Sequence, residues 1–350
     1  MHNHHPLWQL TLARFREQLR QPEVLFWVFA FPLLLAVALG LAFRNRPADV
    51  IRVGVEAGAE AGGEPGADSV AALLGRARGF QARVLTPAEA ADELRRDRIA
   101  LVVVPGPTLV YRYDSTRSDS RMARLATDDA LQRAFGRRDA RPVADRKTME
   151  KGSRYIDFLI PGLLGLNLMG TGMWGLGYAV VDARKKKLMK RMMASPMRKS
   201  HYLLSFIFAR LTMLGPEIVI LIGFGMLAFG VPMRGSPATF LLLAVIGAMC
   251  FAGIGLLTAS RARTTETANG LMNLIMMPMW ILSGVFFSSA NFPAAMQPFI
   301  KALPLTALND ALRGVMLDGA SLAAVAGPTA ICAAWGIAAF AVALKIFRWL

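Results

Sequence analysis

From Val24 to Phe43 the chain runs without a charged side chain, interrupted only by Pro32. A helix needs roughly 20 mostly apolar residues to cross a bilayer, so this run reads as a membrane span. Further runs of that kind follow at Ile156–Val181, Leu203–Gly230, Thr239–Ser260, Thr267–Ser289 and Ser321–Leu344. Length and pattern make each of them a helix. The expected fold is an α-helical integral membrane protein with six transmembrane helices, one plus five, and an α/β extracytoplasmic domain over 44–153 between helices 1 and 2. Composition agrees: 54% of the 350 residues are hydrophobic and 18% are charged. That balance excludes a disordered chain and argues against a wholly soluble enzyme. A competing reading makes the first run a cleaved signal peptide, because Ala36-Val37-Ala38 resembles a cleavage site. The segment before it is long for that, and the apolar run continues past the site, so retention is the expectation.

The formal charge of +16 raises the question of nucleic acid, and placement answers it. With the N-terminus inside, the cytoplasmic side carries Arg14, Arg16, Arg20, Arg184, Lys185, Lys186, Lys187, Lys190, Arg191, Arg198, Lys199, Arg261, Arg263, Lys345 and Arg348. The short outer loops hold Arg234, Lys301 and Arg313. The positive-inside rule then puts both termini in the cytoplasm, with the long insert exempt. The basic balance is topology, and no nucleic-acid partner is expected. Cys250 and Cys332 both lie in apolar runs, without a disulfide framework or metal-ligand spacing. His2, His4 and His5 form a terminal cluster that would hold a metal only incidentally, so no metal site is expected.

Within the insert, Val50–Glu56, Ile99–Val104 and Leu109–Tyr113 read as strands. Ser69–Arg78, Pro87–Arg98 and Arg117–Arg138 read as helices, and Gly58–Gly66 as a loop. The strand–helix order invites a nucleotide-binding reading, but no glycine-rich phosphate loop joins strand to helix. A packed domain that gates or dimerises is the simpler reading, beside a dedicated substrate-binding domain.

Two segments belong on the inner rim. Leu7–Arg20 places Leu7, Leu10, Phe15 and Leu19 among Arg14, Arg16 and Arg20, an interface helix over 7–20. Residues 182–200 read DARKKKLMKRMMASPMRKS, with Leu188, Met192 and Met193 at helical spacing among cations and Pro196 as a terminator. Two readings stand for this loop: an anchor on anionic lipid, or a dock for a cytoplasmic partner.

The last third is the most specific. Thr267–Ser289 is followed by Pro293, Pro298 and the stretch LPLTALNDALRG over Leu303–Gly314. This order resembles the membrane subunits of ABC-2 type exporters, through Arg263, Asn269, Asn273, Pro278, Ser283, Gly284, Phe286, Phe287, Pro293, Pro304, Leu305, Thr306, Asp310, Leu312 and Arg313. Ala194-Ser195-Pro196 in the basic loop resembles the inner coupling loop of that family more loosely, and the one-plus-five layout resembles its bacterial multidrug-type subgroup. The resemblance implies a permease of the bacterial inner membrane that exports by alternating access and leaves the cargo open; the methionines of the fifth span point to hydrophobic or amphipathic cargo. It implies a homodimer, a separate ABC ATPase subunit that uses ATP and Mg, and room for a periplasmic adaptor. Docking would fall to Arg184, Lys185, Lys186, Lys187, Leu188, Lys190, Arg191, Met192 and Pro196, and an outer gate to Pro293, Pro304, Thr306, Asp310 and Arg313 within a re-entrant segment 291–318. Between Pro293 and Leu317 the apolar stretches are too short to cross, and prolines break them; irregular backbone at that depth needs protein or a cavity around it.

No Gly-x-x-x-x-Gly-Lys-Ser/Thr loop occurs, and Arg198 precedes Lys199-Ser200, so no cofactor is expected on this chain itself. Inside the spans, Glu217 sits behind Pro216 with Arg210 seven residues earlier. Intramembrane ionisable groups are functional candidates, though Arg210 can snorkel and Glu217 can serve helix packing. Asn167, Thr171, Asn269 and Asn273 line a path or bridge helices. The second-span glycines Gly162, Gly165, Gly170, Gly172, Gly175 and Gly177 suit close packing. Met272, Met276, Met277, Met279 and Trp280 suit varied apolar cargo, or plain core and lipid contact. Two rival functions remain: a membrane sensor or scaffold built on the insert, and an intramembrane enzyme. The enzyme would need convergent catalytic groups within spans, which His201 alone does not supply.

Overall fold

A computed structural model describes residues 6–44, 50–57, 66–138, 141, 152–186, 199–262 and 264–346. The chain divides into two compact units, Met1–Arg44 with Thr148–Leu350, and Asn45–Lys147.

The first unit is helical. Helix α1 spans Pro6–Leu19, and the first span follows as α2 (Pro22–Leu25), a π-helical turn (Phe26–Ala30) and α3 (Phe31–Arg44). The π turn lets Phe31 N–H reach back to Phe26 O just before Pro32, whose ring cannot continue an ordinary ladder. The second span is also interrupted, as α7 (Tyr155–Gly170), a π turn (Thr171–Gly175) and α8 (Leu176–Lys185). Then come α9 (Lys199–Phe229), α10 (Pro237–Arg261), α11 (Thr265–Leu282), α12 (Gln297–Ala302), α13 (Pro304–Asp318) and α14 (Ala326–Ile346). Pro237 and Pro304 sit in first turns, where the missing N–H costs nothing, and Ser236 and Thr264 cap α10 and α11.

Five of these helices are long and apolar enough to cross a membrane: Pro22–Phe43, Tyr155–Lys185, Ser205–Phe229, Pro237–Arg261 and Ala326–Ile346. The expected span over Thr267–Ser289 is α11, which has 18 residues and is not among the five. Its first half carries Glu266, Asn269 and Asn273 with Thr265 and Thr267, which dilutes its apolar character. The last span begins at Ala326 rather than Ser321, because Ser321–Val325 closes into a turn with Ala324 N–H on Ser321 O at 3.0 Å.

Helices α7 and α10 form the centre of the unit, with Leu159, Leu163, Leu168, Phe240, Ala248 and Phe251 buried. Of the second-span glycines, Gly162, Gly165, Gly172 and Gly177 lie where a Cβ would strike Arg313, Asn309, Phe251 and Met272, while Gly170 and Gly175 face open space. Helix α1 packs on the start of α9: Arg14 Nε donates to Ser205 Oγ at 2.9 Å and its guanidinium lies 3.2 Å from the centre of the Phe206 ring. The same helix leaves Trp8 exposed.

The second unit is a four-stranded sheet with helices on both faces. Strands β1 (Ile51–Glu56), β2 (Phe80–Leu85), β3 (Leu101–Val104) and β4 (Val110–Arg112) stand in the order β2-β1-β3-β4. Strand β1 runs parallel to β2 and β3 (Ile51 opposite Phe80, Val53 opposite Leu101), and β4 returns antiparallel (Val103 opposite Tyr111). Alternation sorts the faces. Val53, Val55, Leu101 and Val103 pack with Val70 and Leu74 of α4 (Ala67–Arg76) and Ala123 and Leu131 of α6 (Ser118–Ala134). Val102 and Ile99 pack on the other side with Ala90 of α5 (Pro87–Arg95). Thr86 starts α5 with a capping box to Glu89. The exposed Gln81 and Arg83 give β2 the weak pattern of an edge strand. Most of the loop expected at Gly58–Gly66 lies outside the described residues.

Candidate functional site

Helix termini leave carbonyls without intrahelical partners, and in a membrane water is not there to take them. In the helical unit, basic and amide side chains fill these positions from neighbouring helices, at both ends of the spans and at one proline between them.

At the end where α8 finishes, Arg184 crosses to the C-terminus of α10. It donates to Ala259 O at 3.2 Å, Ser260 O at 3.1 Å and Ala262 O at 2.7 Å. A cation at a helix C-terminus also meets the negative end of the macrodipole. Lys185 Nζ donates to Thr265 Oγ1, in the first turn of α11, at 3.0 Å. Lys186 pairs with Asp182 one turn back at 2.8 Å, and that hydrogen bond raises its ammonium pKa above the ordinary lysine value. Two of the expected docking cations therefore tie α8 to α10 and α11; Arg184 is half-buried, and Lys185 and Lys186 are exposed. Lys187, Leu188, Lys190, Arg191, Met192 and Pro196 lie outside the described residues.

At the opposite end, α13 carries Thr306, Asn309 and Arg313 at the i, i+3, i+7 spacing of a single stripe. Asn309 Nδ2 donates to the carbonyl of Ser283, the residue that caps α11, at 3.1 Å. Arg313 donates through Nε to Phe158 O on α7 at 3.1 Å and through Nη2 to Gly284 O at 2.5 Å, with its guanidinium 3.5 Å from the centre of the Phe158 ring. Gly162 and Gly165 make the approach possible, since a Cβ at either would lie 2.7 Å from Arg313 Nη2 or 2.0 Å from Asn309 Oδ1. Pro304 and Thr306 are fully packed in the same helix, whereas Asp310, one turn before Arg313, and Pro293 are exposed. Asn309 is the member that sequence reasoning passed over, although its spacing from Arg313 was there to be used. The Phe158 carbonyl carries no signal in sequence.

Between the two ends, α9 buries an ion pair. Arg210 Nη1 and Nη2 donate to the two Glu217 oxygens at 2.8 and 3.0 Å, and both side chains are almost wholly enclosed. The guanidinium is held by Glu217 and does not snorkel. Asn167 Nδ2 donates to Val28 O at 3.0 Å. Val28 lies four residues before Pro32, so this is the carbonyl that the proline leaves open, and Asn167 bridges two helices there. Thr171 bonds back to Asn167 O within its own helix at 2.7 Å. Met272 and Met276 are buried in the helical core, while Asn273 is exposed on the outer face of α11 and Asn269 is half-buried. Met276 and the exposed Asn273 thus lie on different faces of α11. Among the described residues there is no cluster of groups that would hold a metal ion.

A family model described as ABC-2 family transporter protein matches residues 22–345. The chain belongs to the ABC-2 transporter family. Among curated relatives it is similar to the linearmycin resistance permease protein LnrN of Bacillus subtilis, 26% identical over 180 residues, 50% of this chain and 46% of the relative. It is similar to the probable multidrug ABC transporter permease YbhR of Escherichia coli, 25% identical over 165 residues, 47% of this chain and 45% of the relative. A third is ABC transporter G family member 20 of Dictyostelium discoideum, 26% identical over 170 residues, 49% of this chain and 23% of the relative. The matched part spans less than half the length of each. ABC-2 membership and the long apolar helices support a multi-pass membrane chain with a role in transport.

Proposed function

We propose that this chain is the membrane-spanning permease subunit of an ATP-driven exporter, with α11 as a sixth crossing and both termini in the cytoplasm of a bacterial cell. At 1.5 Å per residue, its 18 residues reach about 27 Å, close to the thickness of the hydrocarbon core. The unit Asn45–Lys147 then lies outside and the loop 182–200 inside. A separate ATPase subunit hydrolyses MgATP and docks on that loop. Two copies of the permease form the pathway, with membrane lipid around them and room for a periplasmic adaptor. The carrying observation is the family match across residues 22–345 in a chain that has no phosphate-binding loop.

Two features of the helical unit support the coupling. Arg184 and Lys185 tie the start of the docking loop to α10 and α11, so a push on the loop reaches those helices as a rigid-body displacement. The exposed apolar side chains Leu274, Met277 and Ile281 on α11 suit hydrophobic or amphipathic cargo, as do the names of two relatives, a resistance permease and a probable multidrug permease. The pathway candidates become Asn269 and Asn273 beside those side chains. Asn167, Thr171, Glu217 and Met276 support the helices around them.

The test is co-purification followed by transport. The chain, co-expressed with its ATPase, should bring that subunit through purification and drive ATP-dependent cargo movement in proteoliposomes. Leu188→Asp with Met192→Asp should release the ATPase from a still-folded permease. Unchanged co-purification of the double variant would reject the loop as the dock.

A further inference from the structure

The segment 291–318 divides into two parts with opposite attachments. Helix α13 meets Gly165 through Leu305 and Asn309, and Gly247 through Leu308. Each glycine lies ten residues into a helix that starts at Tyr155 or Pro237, about 15 Å along it, so α13 begins at half depth and climbs toward the outer ends. Its stripe is fixed on two sides, since Arg313 grips Phe158 O of α7 and Gly284 O beyond α11 while Asn309 holds Ser283 O. The stretch before it is different. Between Ser289 and Ala302 Ile300 is the one buried residue, and Phe299 is 60% exposed. Gln297 Nε2 donates to Ser289 O at 2.9 Å and Phe292 O at 3.0 Å, so these bonds stay inside the stretch. Trp335 Nε1 on Ala302 O, at 2.9 Å, ties its end to α14.

We infer that α13 stays locked to α7 and to the Ser283–Gly284 turn throughout transport, with Arg313 as the positioning residue, and that the outward opening is made by Ser289–Ala302 alone. A swing of α13 would strip the Ser283 and Gly284 carbonyls beyond α11 of these donors, and Arg313 of its bond to Phe158 O, in apolar surroundings where water cannot replace them. Movement of Ser289–Ala302 about the end that Trp335 holds at Ala302 keeps the Gln297 bonds to Ser289 O and Phe292 O intact. This inference rests on the exporter reading and goes beyond it by naming which half of the re-entrant segment moves.

The experiment uses the full chain with its ATPase in proteoliposomes, with Cys250→Ala and Cys332→Ala as background. Thr306→Cys and Phe299→Cys are introduced separately and probed from outside with an impermeant maleimide, with and without ATP turnover. Thr306 is fully buried on the Arg313 stripe, and its hydroxyl has no hydrogen-bond partner among the described residues, so cysteine removes no bond. Thr306→Cys should stay unlabelled in both states, and Phe299→Cys should change its labelling rate with turnover. Adding Arg313→Gln should expose Thr306→Cys, and Arg313→Lys should do so in part, because one ammonium cannot hold two diverging carbonyls. Labelling of Thr306→Cys that appears only during turnover, with Arg313 intact, would overturn the inference while leaving the exporter reading in place. Loss of ATP-driven transport in the cysteine-free parent, when the native chain also shows none, would remove the exporter reading and this inference with it.

Discussion

In the helical unit Arg184 and Arg313 donate to backbone carbonyls at the ends of neighbouring helices, whereas in the α/β unit Arg112, Arg117 and Arg137 pair with Glu56, Asp97 and Asp129, mostly in contact with solvent. The same side chain does different work because the alternatives differ. In the α/β unit an unmade bond is replaced by water, and surface ion pairs contribute little. In a bilayer a vacated carbonyl stays vacant, so charge-assisted bonds to it decide helix placement. The lesson is that cations of the helical unit should be read first as helix ties, and only then as parts of a pathway or dock.

The comparison breaks most sharply at the Arg210–Glu217 pair. Glu217→Ala leaves an enclosed guanidinium without its carboxylate and should cost about 3–5 kcal/mol, read as loss of yield and a large drop in the thermal unfolding midpoint. The double change Arg210→Met with Glu217→Leu removes both charges and should recover most of that loss. A single variant that unfolds at the native temperature would place this pair with the surface pairs of the α/β unit.

A smaller effect belongs to Asn167. Asn167→Leu orphans the Val28 carbonyl and should cost about 1–3 kcal/mol. In a Pro32→Ala background, an N–H returns to that carbonyl and the same change should cost much less. Equal losses in both backgrounds, measured by thermal unfolding, would show that Asn167 does not compensate the proline.

The smallest effect is expected at Asp97. Its hydrogen bond with Arg117 holds the carboxyl below the ordinary carboxylate range, and the pair is exposed. A depressed folded pKa means that any stabilisation is present above the unfolded value and is lost as pH falls through the lowered one. Arg117→Gln should therefore raise the Asp97 titration midpoint toward its ordinary value and lower the unfolding midpoint at pH 7 at most slightly, because the pair is exposed, with both effects fading in high salt. A salt-resistant loss of stability at neutral pH would bring this pair closer to the membrane cations than the comparison allows.

The family resemblance and most of the helix order were legible because they depend on local pattern. Apolar length marks the spans, Pro237 and Pro304 mark starts, and the stretch from Pro304 to Arg313 carries the family likeness. The site was legible only in part. Arg313 stood out through the family likeness of its stretch, but its partners are backbone oxygens of Phe158 and Gly284, and any residue type supplies a carbonyl. Arg184 read as one of a run of docking cations, and nothing in that run distinguishes the residue that turns back onto α10. The edge strand β2 was faint for a related reason, since half-exposed alternation is weak in six residues.

By itself the sequence determined that this chain spans a membrane, that a separate α/β unit interrupts its spans, and that its last third has the ABC-2 pattern. Hydrophobic length and residue order settle those points without any contact between distant residues. Only the tertiary structure decided that Asn167 answers the Pro32 break, that Arg210 is held by Glu217, and that Asn309 and Arg313 fasten α13 to two neighbours. These are pairings between a side chain and whatever backbone or carboxylate the packing brings within about 3 Å, and that proximity is a property of the folded helices together rather than of any local run.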